Sequence, residues 1–236
     1  MSKRKLLRIN YKEYEKPKFL RLLTVLLLRA YIHILLKFRI SGITHLPKGP
    51  KIFAINHPTA TDPFIIGSIF PNASILITKE AFDSRFSNWL LKSLGHIPVD
   101  RKNGKAAYDE ARNILLKSKD IIIFPEGGFS KNLLTMKEIK TGLARLALET
   151  RATIVPIGVS LKKRGLLQWK MRNRKGQQYT AKWYIFSKYF VNIGKSIKLK
   201  GSHSNRKHVH RKSIYLKEEI QKLSRKYFYK PEIFKK

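Results

Sequence analysis

Apolar positions along the chain fall into short continuous runs separated by stretches of helical spacing. The run Lys51-Ile52-Phe53-Ala54-Ile55 reads as a buried strand. Residues 73–78, 120–124 and 152–159 read the same way, and fully apolar strands of this kind belong inside parallel sheets. Phe82, Phe86, Trp89, Leu90 and Leu94 recur near helical spacing over residues 79–93, which assigns Trp89 to the core. Ala107, Ala111, Ile114 and Leu115 mark a helix over 105–118, and Ile139, Leu143, Leu146 and Ala147 mark another over 137–150. Directly after the first strand, Asp62 has N-cap chemistry and Pro63 suits the first helical position, where its missing N–H costs nothing. Beyond a basic, acid-free stretch at 162–175, strands are expected at 181–189 and 190–193, then a polar linker to 212 and a helix over 213–228. The alternation predicts an α/β fold, a single domain with a central mostly parallel or mixed sheet flanked by helices.

Ahead of these elements, residues 19–38 form the most apolar segment. It approaches the roughly 20 residues that a bilayer span needs, but Arg21, Arg29 and His33 interrupt it. At about 100° per residue, Lys18, Arg21, Thr24, Arg29, His33 and Lys37 gather on one side. A basic stripe on so apolar a helix predicts an amphipathic, membrane-associating helix, with a core helix packed on the sheet as the alternative. Residues 1–18 are mostly polar and basic and carry no secretory signal. The expected division is 1–40, a basic segment and membrane-anchoring helix, and 41–236, the α/β domain.

Composition narrows the chemistry. With 43% hydrophobic and 11% aromatic residues, 236 residues support a packed core rather than disorder. Cysteine is absent, which excludes disulfides, thiolate metal sites and a cysteine nucleophile. The seven histidines show no metal-ligand spacing with carboxylates, so no metal is assigned. A net charge of +35 selects polyanionic partners, whether nucleic acid, an anionic membrane or an acidic protein, without choosing among them.

The candidate chemistry begins at the strand-to-helix turn. On one continuous helix His57 and Asp62 would point about 140° apart. A turn can instead fold His57 back, so that Asp62 takes its Nδ1–H and leaves Nε2 free as a base. That is the base-and-orienter half of a catalytic triad with no nucleophile beside it, so the proton removed would belong to a substrate. The plainer reading is a hydrogen-bonded turn histidine and a helix cap. After the 120–124 run come Glu126, Gly127 and Gly128. The glycines let backbone approach a ligand closely and turn N–H groups towards a phosphate or an oxyanion. A carboxylate there is costly unless it binds hydroxyl or cationic groups. Arg101 carries a planar fork suited to phosphate, although Asp100-Arg101 also reads as a surface ion pair. Pro156 inside a strand indicates an edge, a bulge or the strand's functional end.

Four blocks therefore stand in one order: Asn56-His57-x-x-x-x-Asp62, Gly95-x-Ile97-Pro98-x-Asp100-Arg101, Phe124-Pro125-Glu126-Gly127 and Val155-Pro156-Ile157-Gly158. In these the chain resembles the glycerolipid acyltransferase family that includes the 1-acyl-sn-glycerol-3-phosphate acyltransferases. The resemblance covers residues 20–200, with Lys140-x-Gly142 and Ile193-Gly194-Lys195 inside it. It implies that His57, oriented by Asp62, deprotonates an acceptor hydroxyl that attacks an acyl thioester directly, without an acyl-enzyme. It also implies that Arg101, Glu126, Gly127 and Gly128 hold the acceptor and that Pro156 lines a pocket. Asn56 either fixes the turn or helps stabilise the oxyanion. No cofactor or metal is implied beyond acyl carrier protein or acyl-coenzyme A as acyl donor. The partners implied are that donor, a lysophospholipid acceptor and an anionic phospholipid membrane, with the protein peripheral or monotopic on the cytoplasmic face and no nucleic acid expected.

The expected reaction converts 1-acyl-glycerol-3-phosphate to phosphatidic acid, and one departure bears on it. The family's third block continues Glu-Gly-Thr-Arg-Ser, whereas here it reads Glu126-Gly127-Gly128-Phe129-Ser130. An aromatic replaces the arginine expected for acceptor phosphate, so another lysophospholipid or a lyso-aminolipid stays open as acceptor. Exchange of acyl chains between lipids is a further variant. The rival from another class is a non-catalytic polyanion-binding module, built on the charge and on Tyr184, Phe186, Tyr189 and Phe190.

Overall fold

The computed structural model describes residues 18–172 and 178–229. Helices α1 (Lys18–Leu35), α2 (Asp62–Ile69), α3 (Arg85–Ser93), α4 (Lys105–Leu116), α5 (Gly142–Thr150) and α6 (Arg206–Tyr229) surround the strands. These are β1 (Leu36–Ser41), β2 (Lys51–Ile55), β3 (Ser74–Thr78), β4 (Ile97–Val99), β5 (Ile121–Ile123), β6 (Thr153–Leu161), β7 (Leu166–Arg172), β8 (Gln178–Tyr184) and β9 (Ser187–Ile193). The main sheet runs β1-β9-β6-β2-β5-β3-β4, and β7-β8 form a separate hairpin. From β6 to β4 every pairing is parallel; β9 is antiparallel to β6, and β1 is parallel to β9. The sheet is mixed with a mostly parallel body, as the alternation of elements predicts.

Strand β2 is apolar throughout because both of its faces are covered. Ile52 and Ala54 enter the cluster that Ala111, Leu146 and Ile220 complete from α4, α5 and α6. Phe53 and Ile55 enter the one shared with Ile32 of α1 and Ile65 and Ile66 of α2. The C-terminal edge of β2 and β5 is thereby fixed from two sides, and the turn bearing His57 projects from it.

Several elements depart from the pattern-based expectation, each for a local reason. The N-terminal helix stops at Leu35, because Leu36-Lys37-Phe38-Arg39-Ile40 alternates with the period of a strand and pairs in register with β9. The division expected at residue 40 thus falls inside a strand of the sheet. The solvent side of α1 exposes Phe19, Leu22, Leu26, Leu27 and Ile34 together with Arg29 and His33, while Thr24 turns towards the cleft described below. No helix of the described residues is long and apolar enough to cross a membrane. Residues 1–17, expected to be a basic leader without a signal, lie outside the described residues.

Trp89 is exposed rather than core, and its ring lies 6.2 Å from that of exposed Phe86. The cause is a break in the helix expected over 79–93. A 3-10 turn, Lys79–Phe82, ends at Asp83, and Ser84 caps a new helix by accepting the Ser87 N–H, which resets the phase. Helix α5 begins at Gly142 because the backbone before it is committed elsewhere, Lys137 N–H to Glu126 and Lys140 N–H to Pro125 O. Helix α6 starts at Arg206, with Asn205 Oδ1 accepting the His208 N–H. The basic stretch after residue 162 contributes β7, and the last strands divide at 185–187, where Ser187 takes φ 93°.

Candidate active site

Asn56 directly follows β2 with its side chain turned into the sheet. Its Nδ2 donates to Val159 O at 3.0 Å and its Oδ1 accepts the Val159 N–H at 2.7 Å, with only 2% of the residue exposed. Both polar atoms of the Asn56 side chain are thus bonded to the backbone of β6. The next residue, His57, is thereby delivered to the open edge.

The turn then folds back. Helix α2 starts one residue earlier than the capping pattern suggests, with Thr61 at its N-cap and Asp62 at its first helical position. The Asp62 carboxylate therefore does not cap its own helix. Its Oδ2 lies 3.0 Å from His57 Nδ1 and accepts the Thr59 N–H at 2.7 Å. Its Oδ1 accepts the hydroxyls of Thr59 and Tyr189, both at 2.8 Å. Asp62 is fully buried, and four donors replace the water it has lost. Burial pushes the Tyr189 hydroxyl well above the ordinary phenol range, and the Asp62 charge adds to this, so Tyr189 stays a proton donor. With Asp62 accepting from Nδ1–H, Nε2 is the nitrogen left for the cleft.

A second loop locks the first. Glu126, 7% exposed, accepts the His57 N–H at 2.9 Å and the Ser130 hydroxyl at 2.6 Å on one oxygen, and the Lys137 N–H at 2.7 Å on the other. Ser130 N–H returns a bond to His57 O at 2.7 Å. Glu126, expected to hold the acceptor, is thus already occupied by protein donors. Between these anchors, Gly127 takes φ 64°, and a Cβ there would stand 2.8 Å from Lys140 Cε. Gly128 has open space beside it and lines the cleft. The His57 ring is walled by Phe124 and Phe129, at centroid distances of 4.4 and 4.9 Å.

The cleft over His57 has a volume of about 1180 Å³ and is lined by apolar side chains of α1, α2 and α3, including Leu28, Phe64 and Leu91. Arg101 reaches the same cleft, with Lys140 and Gly128. Asp100 pairs with Lys79 rather than with Arg101. Pro156 does not line the cleft. It lies in β6 between β2 and β9, and its carbonyl accepts the Gly194 N–H. There the register slips by one residue between the Ile157–Ile193 pair and the Ile154–Ile197 bridge, and the extra residue is in 194–196, so the proline lies opposite a bulge rather than in one. Tyr184, Tyr189 and Phe190, which the polyanion-binding rival would offer to bases, are buried.

Sequence reasoning missed Tyr189, Thr59 and Ser130. Thr59 and Ser130 lie within four residues of Asp62 and Glu126, so hydroxyls near a costly carboxylate were an available signal. For Tyr189, 127 residues from Asp62, local sequence holds none.

Comparison with known proteins adds the following. A family model described as Acyltransferase matches residues 37–160. A 1-acyl-sn-glycerol-3-phosphate acyltransferase of Saccharomyces cerevisiae is 29% identical over 143 residues, covering 56% of this chain and 47% of that protein. One of Cocos nucifera is 34% identical over 111 residues, 45% of this chain and 36% of that protein. A lyso-ornithine lipid O-acyltransferase of Pseudomonas aeruginosa is 25% identical over 130 residues, 54% and 49% respectively. The chain thus spans no more than half the length of these relatives. Its fold matches the crystal structure of the 1-acyl-sn-glycerophosphate acyltransferase PlsC from Thermotoga maritima. That match has a TM-score of 0.62 and 18% identity, over 87% of this chain and 78% of that one.

Proposed function

Because the chain belongs to the acyltransferase family, whose model spans residues 37–160, we propose that it moves a fatty acyl chain from a thioester to the free hydroxyl of a lysophospholipid. The observation that carries this reading is the 3.0 Å contact between His57 Nδ1 and buried Asp62 at the wall of an apolar cleft. His57 Nε2 takes the proton of the acceptor hydroxyl, whose oxygen then attacks the thioester carbonyl. The C–S bond breaks, and the departing thiolate takes the proton back from the imidazolium. The apolar cleft accommodates acyl chains, and Arg101 and Lys140 supply cationic groups for the acceptor's anionic head. The donor is acyl carrier protein or acyl-coenzyme A, both polyanionic and matched to the +35 charge. The exposed leucines of α1, rimmed by Arg29 and His33, favour a peripheral position on an anionic membrane, at its cytoplasmic face.

The first acceptor in this reading is 1-acyl-glycerol-3-phosphate, giving phosphatidic acid. Phe129 favours a second reading, in which the acceptor is another lysolipid such as a lyso-aminolipid. An aromatic ring, rather than a cation, stands 4.9 Å from the His57 ring. The lyso-ornithine lipid relative points the same way.

The test is acyl transfer from both thioester donors to a panel of lysolipids, with His57→Ala alongside. Transfer to lysophosphatidic acid, lost by a factor of about 100 or more in the variant, is the expected result. Transfer only to a different lysolipid moves the substrate and keeps the mechanism. Inertness of the wild type towards every acceptor, or full activity of His57→Ala, overturns the reading.

A further inference from the structure

A second cavity, of about 620 Å³, lies where α1 ends and β1 and β9 begin, and it shares no lining residue with the cleft over His57. Its wall carries His33, Lys37, Lys162, Arg164 and Lys188 and no acidic residue. Two of these cations are forced together by the fold. Lys37 and Lys188 are register partners in the β1–β9 pair, where like charges side by side are unfavourable. Lys162 follows directly on Leu161, the last residue of β6 and the register partner of Tyr189, and so stands just past the end of that strand. Its ammonium lies 5.9 Å from the Tyr227 ring centre. None of Lys37, Lys162, Arg164 and Lys188 forms an ion pair with a carboxylate among the described residues.

A row of cations without counter-ions is a poor way to close a sheet edge and a good way to hold an anion. The rim identifies which one. Ile34, Leu35 and Phe186 are exposed at the mouth, 78%, 45% and 42% respectively. They continue the apolar solvent face of α1. Cations set directly behind exposed aliphatic and aromatic side chains match a bilayer interface, where acyl chains and head-group phosphates are layered in that order.

We propose that this cavity binds the phosphate head group of an anionic lipid within the bilayer, as an anchoring site separate from the catalytic cleft. The proposal rests on the peripheral-membrane part of the reading above and adds a defined site to it. Head-group capture at the end of α1 would pin the helix flat and hold the cleft at a fixed height over the membrane.

The experiment is co-sedimentation of the full chain with phosphatidylglycerol vesicles and with phosphatidylcholine vesicles, at fixed ionic strength. The test variant is Lys37→Gln/Arg164→Gln/Lys188→Gln. The control, Lys195→Gln/Lys198→Gln/Lys200→Gln, removes equal charge from exposed positions just past the other end of β9. The first triple is expected to weaken phosphatidylglycerol binding about 100-fold, and the control by about threefold or less. Transfer to detergent-dispersed acceptor stays unchanged in both and reports that each is folded. Equal losses in the two triples would show diffuse charge rather than a site and would overturn the proposal. Displacement of the protein from vesicles by inorganic phosphate, at constant ionic strength, would also overturn it by showing a soluble-anion site. Failure of the wild type to sediment with either vesicle refutes the peripheral reading itself.

Discussion

Tyr189 and Asp62, 127 residues apart in the chain, meet hydroxyl to carboxylate at 2.8 Å in the buried interior. Strand β9 thus supports the residue that orients His57 without touching the cleft. Tyr189→Phe removes one of four donors to Asp62 and leaves the ring packing in place. A hydrogen bond to a charged group contributes about 1.5 kcal/mol, so kcat should fall about tenfold with little change in KM. A raised acceptor KM would mean instead that the change disturbs the cleft itself.

Glu126 makes a comparable prediction about position rather than contact. Its two oxygens accept from His57 N–H, Ser130 Oγ–H and Lys137 N–H, which closes the loop after β5 onto the turn after β2. In Glu126→Gln an amide NH₂ faces one of these donors. The expected cost is about 1–3 kcal/mol of stability, with a fall in kcat and an acceptor KM close to that of the wild type. Thermal melting and steady-state kinetics measure the two separately. A raised KM at unchanged stability would instead make Glu126 a direct acceptor ligand.

The contrast between these two residues shows what the sequence makes legible. The central strands read out because continuous apolar runs at 51–55 and 120–124 have only one use, burial on both faces. The His57–Asp62 pair reads out because a strand end, a turn and Asp-Pro lie within a few residues of one another. Long-range partners do not read out. Tyr189 is an ordinary strand aromatic until β9 is placed beside β6, and β9 is antiparallel to it in a sheet whose body is parallel. The exposure of Trp89 is equally hidden, since it depends on Ser84 restarting a helix whose apolar spacing continues across the break. The end of α1 at Leu35 was legible in principle from the alternation Leu-Lys-Phe-Arg-Ile, but leucine-rich helical spacing runs directly into it.

Strand β6 and helix α6 approach backbone to backbone at Gly158. A Cβ there would lie 2.1 Å from Ser224 N and 2.2 Å from Leu223 C. Main chain cannot yield as a flexible side chain would. Gly158→Ala should therefore displace α6 at a cost of about 3 kcal/mol, or about 10 °C in melting temperature for a chain of this size. Because β6 also holds Asn56 through Val159, activity should fall at temperatures well below the melting point. An unchanged melting curve would mean that the two backbones are farther apart in solution.

The pH dependence of stability has an identifiable source between α4 and α5. The hydrogen bond from Tyr108 holds the Glu149 carboxyl below its usual range, and Arg112 adds to this. A carboxyl depressed in the folded state contributes stability that is complete above its unfolded value and is lost as the pH falls through the folded one. The gap in melting temperature between wild type and Tyr108→Phe should accordingly be full at pH 6 and narrow below about pH 4. Thermal melts of both proteins at several pH values measure it, and a gap independent of pH would assign the effect to packing alone.

Phe129 should govern the choice of acceptor in the proposed reaction. Its ring stands 4.9 Å from that of His57, and Phe124 lies on the same ring at 4.4 Å. An acceptor hydroxyl reaching Nε2 passes an aromatic wall, and the cations of the cleft, Arg101, Lys105, Lys140 and Arg145, belong to other segments of its lining. A head group with a phosphomonoester close to the reacting hydroxyl therefore meets an apolar surface where a charged partner would serve it best. Phe129→Arg places a guanidinium there. The kcat/KM for lysophosphatidic acid, relative to a zwitterionic lysolipid, should rise about tenfold, the effect of a charge-assisted hydrogen bond of about 1.5 kcal/mol. Phe129→Leu keeps the wall apolar and should leave the ratio unchanged, which separates the new charge from loss of the ring. A ratio unaffected by arginine would mean that the head group binds away from residue 129, on the side of Arg101.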